Sequence, residues 1–374
     1  MSSKLLPAST LTVLLGSAAI ADVPSVAVDI APVHSLVARV MEGVGTPDLV
    51  IQPQASPHEY SLRPSEAASL QNADIVFWIG EDLTPWMEDA VETLATNAKV
   101  TSLLAVEDTT LLDFREGALF EAHDHGDEDE HAHDDHEDHN DHGHEDHGHD
   151  DHAEDGHDDH GHDDHAEADD HDHDHDKHDH ASEDAHEDHD KEEHDHAHEG
   201  HDHGEHDPHA WLSPENAAVW LNVIAAELSA FDPDNAGAYF ANAAAARSEL
   251  KTLKTDVAAT LEPVRGRSFV VFHDAYQYFE VAFDFPAAGA ITLGDASDAS
   301  PARIAEIQGR IRDEGVHCVL AEPQYDAGLV ATVLDGTDAK TGVIDPIGAT
   351  YAPGIELYGQ IVRGMAETLS ECLR

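Results

Sequence analysis

The stretch NAGAYFANAAAARSELKTLKTDVAATLEPV, residues 235–264, consists largely of good helix formers and meets no proline until Pro263. Alanine, leucine, lysine, arginine and glutamate lose the least freedom on entering a helix. Asp232-Pro233, just ahead, supplies a start signal. The pattern predicts one long helix over residues 233–262. That is longer than one small lobe needs, so it reads as a rod linking two lobes.

On either side the same pattern recurs. Upstream, the runs VAVDI (26–30), DLVIQ (48–52), DIVFWI (74–79) and KVTSL (99–103) alternate with HSLVARVME and PSEAASLQNA, whose apolar residues fall at helical spacing. Downstream come SFVVF (268–272), PARIAEIQGRIRDE behind Ser300-Pro301, VHCVLAE (316–322), TGVID (341–345) and a last helix from about Ile355 to Cys372. Thr84-Pro85 and Ser213-Pro214 each place a capping residue before a proline at the first helical position. Strand-helix alternation argues for parallel sheets. The expected fold is α/β: two α/β lobes with mainly parallel sheets joined by one long backbone helix. The N-terminal lobe covers 22–232, the linking helix 233–262 and the C-terminal lobe 263–374.

Residues 121–206 interrupt the first lobe. This run holds 39 of the chain's 79 acids and 28 of its 33 histidines, and no large apolar residue. It has nothing from which to build a core and is expected to stay disordered. It also carries about −37 of the formal charge of −61. The flanking lobes remain acidic, which gives no electrostatic case for nucleic acid or an anionic membrane surface as partner.

At the N-terminus, Lys4, the apolar stretch LTVLLGSAAI and Ala19-Ile20-Ala21 match the three regions of a secretory signal. The apolar stretch is too short to span a bilayer. Residues 1–21 are the expected signal peptide, with the mature chain starting at Asp22. The only cysteines, Cys318 and Cys372, are an even pair in an exported chain, which favours a disulfide over two separate buried thiols.

Imidazole and carboxylate together suit zinc, nickel and copper. The histidines between His123 and His206 form an array of auxiliary weak sites, because each ion captured there must offset the entropy of ordering the chain. Five histidines lie outside the run: His34, His58, His209, His273 and His317. His34, in APVHSLV, opens a helix and reads as a cap-region residue, and His317, beside Cys318, reads as structural. His58 follows strand DLVIQ, His209 precedes a helix start, and His273 ends strand SFVVF. Ligands of open α/β sheets collect beyond the carboxyl ends of the strands, so these three histidines from two lobes can converge on one interlobe cleft. Asp345, at the end of TGVID, occupies the same kind of position and would complete a tetrahedral zinc site with one oxygen.

SPHEYSLRPSEA, a histidine-acid insertion followed by DPHAWLSPENA, then FHDAYQYFE, AEPQY and IDPIG stand in this order over nearly the whole mature chain. Together they resemble the periplasmic zinc-binding proteins of ABC importers, the ZnuA-type members of the metal-binding solute-receptor family. The resemblance implies zinc held by His58, His209 and His273, a disulfide between Cys318 and Cys372, a periplasmic location, and delivery of Zn(II) to an ABC-type membrane permease. It leaves the fourth ligand open between Asp345, Glu59 and water. A monomer is expected, with other periplasmic zinc carriers as further candidate partners. Two other readings stand beside it. One is a zinc buffer acting through the run; the other is a zinc hydrolase, for which the sequence offers no H-E-x-x-H motif.

Overall fold

The computed structural model describes residues 23–115, 120, 206–292, 300–313, 315–325 and 327–374. The expected signal peptide and the disorder expected of the run therefore lie outside the described residues, His206 excepted. The N-terminal sheet contains β1 (Val26–Val28), β2 (Asp48–Leu49), β3 (Ile75–Trp78) and β4 (Lys99–Ser102), all parallel, in the order β2-β1-β3-β4. Its connections include α1 (Ala31–Val40), α2 (Pro64–Asn72) and α3 (Pro85–Leu94). The C-terminal sheet contains β5 (Phe269–His273), β6 (Gly289–Thr292), β7 (Cys318–Ala321) and β8 (Lys340–Val343), again all parallel, in the order β6-β5-β7-β8. Helices α6 (Gln277–Phe283), α7 (Pro301–Asp313) and α8 (Ala327–Leu334) accompany it, and α9 (Leu357–Leu373) ends the fold. The two sheets thus share one winding order, so each lobe has a switch point between its first and third strands.

Between the lobes run α4 (Pro214–Phe231) and α5 (Ala236–Leu261), the long helix predicted from composition. Its 26 residues make a rod about 39 Å long. Tyr239, Ala243, Ala246, Leu250, Leu253, Val257 and Leu261 recur every three or four positions and are buried, and the helix packs against α4, α9 and α1. Asp232, buried just before it, accepts hydrogen bonds from Asn235 (2.7 Å) and the Tyr239 hydroxyl (2.9 Å). Helix α4 starts as its sequence predicts: the Ser213 hydroxyl accepts the Asn216 N–H at 3.2 Å.

Strand β5 shows how the second sheet serves two layers. Phe269 and Val271 join the main core shared with α5, whereas Val270 and Phe272 join a smaller core containing Ile307, Ile311, Val330 and Val333 of α7 and α8. A strand buried on both faces reads as a continuous apolar run, which is why SFVVF was legible. In the first lobe the switch point is filled by Asp29. This fully buried carboxylate accepts the N–H groups of Ile30 and Ile79, each at 2.7 Å, and ties the ends of β1 and β3 together. Burial raises its pKa to about 7, against the pull of those backbone donors. Among the described residues, no helix is long and apolar enough to cross a membrane.

Cys318 at the start of β7 and Cys372 near the end of α9 form the expected disulfide, with Cα atoms 5.8 Å apart and a sequence separation of 54. A loop of that length is worth about 4 kcal/mol in the chain-entropy account. Replacing both cysteines by alanine should lower unfolding free energy by about 2–5 kcal/mol in denaturant titrations.

Candidate metal site

His273 is the last residue of β5, and Glu322 directly follows β7, so both sit at the switch point of the second sheet. Their side chains meet: His273 Nδ1 lies 2.7 Å from Glu322 Oε1, and both residues are buried. His209 arrives on a short turn (Ala210–Leu212) leading into α4. It is paired in the same manner, with Nδ1 2.7 Å from Asp207 Oδ1, which also accepts the His209 N–H at 3.0 Å. A carboxylate acceptor makes Nδ1 the N–H nitrogen and Nε2 the ligand-type nitrogen. It also raises the basicity of the imidazole toward a metal.

His58 comes from the first lobe, on the loop after β2, and is half-buried. The loop is held from both sides. Trp86 Nε1 donates to Pro57 O at 2.8 Å within the first lobe, and Gln54 Nε2 donates to Ala349 O at 3.2 Å across to the second. The ring centroids of His58 and His209 are 5.4 Å apart and those of His209 and His273 are 5.3 Å apart. With zinc–nitrogen bonds of about 2.0–2.1 Å, two imidazoles sharing one tetrahedral ion hold their centroids about 5 Å apart. The three rings line one small pocket with Trp211, Tyr325 and Pro346, which is apolar apart from the ligand-type groups and Glu322, Ser56 and Gln324. As they stand, no three His, Cys, Asp or Glu side chains among the described residues are closed around one point.

The oxygen candidates lie differently. Asp345 Oδ1 accepts the N–H groups of Gly348 (2.8 Å) and Ala349 (2.9 Å), and Oδ2 accepts both the N–H (2.9 Å) and the hydroxyl (2.7 Å) of Thr350. The carboxylate thus caps its own loop. Glu59 is exposed beside His58. His34 lies inside α1, buried, with Nε2 3.0 Å from Pro47 O, and burial lowers its pKa. His317 is exposed.

Sequence reading missed the groups that aim the histidines. Asp207 was signalled only by standing two residues before His209, and Glu322 is 49 positions from its partner. It also missed Arg115, which pairs with Asp274 and, at 2.8 Å, with Glu280, and whose guanidinium lies 3.6 Å from the centre of the Phe120 ring. Burial pushes the pKa of both acids up, and Arg115 opposes that shift. Close by, the two stems of the insertion are joined. Asp207 N–H donates to Leu112 O (2.8 Å), His206 Nδ1 meets Asp113 Oδ1 (2.9 Å), and Tyr278 of α6 accepts from Leu112 N–H (3.0 Å) and donates to Asp207 O (2.8 Å).

Two parallel α/β lobes on a helical rod, with carboxylate-paired imidazoles between them, define a metal-receptor class of periplasmic binding protein. The chain belongs to the ZnuA family: the family model described as "Zinc-uptake complex component A periplasmic" matches residues 26–372. The high-affinity zinc uptake system protein ZnuA of Paracoccus denitrificans is 40% identical over 367 residues, covering 97% of each chain. The protein of that name from Brucella abortus is 39% identical, covering 96% of this chain and 94% of its own. Among solved structures, the crystal structure of ZnuA superposes with a TM-score of 0.63 at 17% identity, over 94% of this chain and 100% of the other. A zinc-bound 138–173 deletion mutant of ZnuA gives 0.62 at 17% identity, over 94% and 98%. The chain is therefore a periplasmic zinc-uptake binding protein, a receptor for Zn(II) and not an enzyme.

If the carboxylates aim the imidazoles, Asp207→Asn and Glu322→Gln should each weaken zinc binding about 10–100-fold. Competition titration with a chromophoric chelator measures this, with thermal unfolding of the zinc-free proteins as the check on folding.

Proposed function

We propose that His58, His209 and His273 together capture one Zn(II) ion in the interlobe cleft for delivery to an ABC-type permease, and that the histidine-rich run is an auxiliary collector. The observation supporting this reading is the pair of buried imidazole–carboxylate contacts at 2.7 Å, whose rings stand 5.3 Å apart and face the half-buried His58. Three imidazoles favour zinc over hard cations such as manganese or magnesium. Because both Asp345 oxygens are engaged by its own loop, the fourth position falls to water or Glu59.

His209 and His273 are buried and aimed by fixed carboxylates, whereas His58 rides on a partly exposed loop. Loading and release then proceed by movement of that loop, with the α5 rod keeping the lobes in place. The competing reading, a buffer working through the run alone, makes the cleft irrelevant to tight binding.

Zinc stoichiometry on the mature protein and on a version lacking residues 121–205 separates the two. The shortened protein should retain one tight ion and lose the weaker ones, and His58→Ala should reduce the tight affinity at least about 100-fold by removing one imidazole ligand. Loss of all tight binding with the run would establish the buffer instead.

A further inference from the structure

The described residues include 15 lysines and arginines, and most are engaged: Arg39, Arg63, Lys99, Arg115, Lys254, Arg265 and Arg363 pair with acids, Arg247 bonds Asn222, and Arg303 and Arg310 bond backbone oxygens. Five make no side-chain hydrogen bond or ion pair: Lys251, Arg267, Arg312, Lys340 and Arg374. Four of these five line a single pocket of about 440 Å³, together with His317; Asp338 is the only acidic side chain among its lining residues. In a chain of formal charge −61, pairing is the easy outcome for a cation, so a cluster of unpaired ones is the exception needing a cause.

The pocket lies at the amino ends of the second sheet's strands, opposite the end that carries His273 and Glu322. Arg267 precedes β5, His317 precedes β7, and Lys340 opens β8. Arg312 is in the last turn of α7 and Arg374 follows α9. The partial negative charge of a helix C-terminus accounts for a cation at those two places. It does not account for Arg267 or Lys340, since strands carry little net dipole. Like charges brought together around a concavity cost energy that an anion would return. Three guanidiniums, each able to grip a carboxylate or phosphate by two N–H groups, suit a ligand with several oxygens.

We propose that this pocket is a binding site for a small multivalent oxyanion, a phosphate or a polycarboxylate, independent of the zinc cleft. The fold itself leaves the four cations in place, because each is exposed and none packs in the core. Ligand binding should therefore change with their removal while the protein stays folded.

The test is calorimetric titration of the zinc-free full chain with phosphate, pyrophosphate and citrate, at pH 8 and low ionic strength. Saturable binding of one anion per chain is expected, weakened about tenfold or more in Arg267→Ser/Arg312→Ser, with zinc affinity and thermal unfolding unchanged. A preference for pyrophosphate over citrate identifies a phosphate site, and the reverse a carboxylate site. No saturable binding by any of the three, or binding equal in the double variant, overturns the proposal.

Discussion

Seven side chains along one side of α5, from Tyr239 to Leu261, are buried against α1, α4 and α9. The larger of them each contribute about 1.5–3 kcal/mol through removal from water. The arrangement they hold is what lets a loop of the first sheet and a strand end of the second present rings to the same pocket. Were the rod free to rock, the spacing near 5 Å between imidazoles from different lobes would change with every excursion. Instead the lobes are set by packing, and the His58 loop is tied to the first through Trp86 and Pro57 and to the second through Gln54 and Ala349. Under the proposed function, capture and release are local events at His58, unlike the wide jaw-like closure of binding proteins whose lobes are joined by flexible strands.

The site is built from polar groups that an apolar core would ordinarily reject. Asp207, Glu322, His209 and His273 are all buried, and each imidazole meets its carboxylate at 2.7 Å. Holding the Nδ1–H side of each ring leaves little orientational freedom to lose when an ion arrives, which favours affinity for a ligand set of this kind. Asp29 does the equivalent duty for structure in the other lobe. There the crevice between the first and third strands contains a carboxylate that accepts two backbone N–H groups. Two lobes of one winding order have thus been put to different uses.

Much of this was legible in the sequence, for identifiable reasons. The long helix follows from intrinsic propensity over 26 residues, where no tertiary contact was needed to decide it. Strands β1, β3, β5 and β7 are buried on both sides and read as apolar runs. Strand β6 (GAIT) is too small-residued to stand out, and α6 (QYFEVAF) is too short to show a period. Helix α8 (AGLVATVL) is an apolar run of eight that matches a buried strand equally well. The histidines were found because strand ends collect ligands. Asp345 was favoured by the same rule, and its segment DPIGAT is also a turn signature in which the aspartate caps the N–H groups that follow, a local use that the strand-end rule does not foresee. Glu322 was invisible because the pairing that gives it meaning spans 49 residues.

The joined stems at Asp113 and His206 have a consequence for how such a chain can change over generations. Held to α6 at this point through Tyr278, the first stem runs on to Phe120, whose N–H donates to Ala288 O at 3.2 Å and whose carbonyl accepts from Arg310 at 3.3 Å, so the run begins only beyond a residue packed in the second lobe. The entropy of closing a chain segment grows only with the logarithm of its length, so doubling it costs about 0.6 kcal/mol. The length and composition of the run can therefore change at little thermodynamic cost to the lobes, which lets selection tune the run separately from the receptor fold.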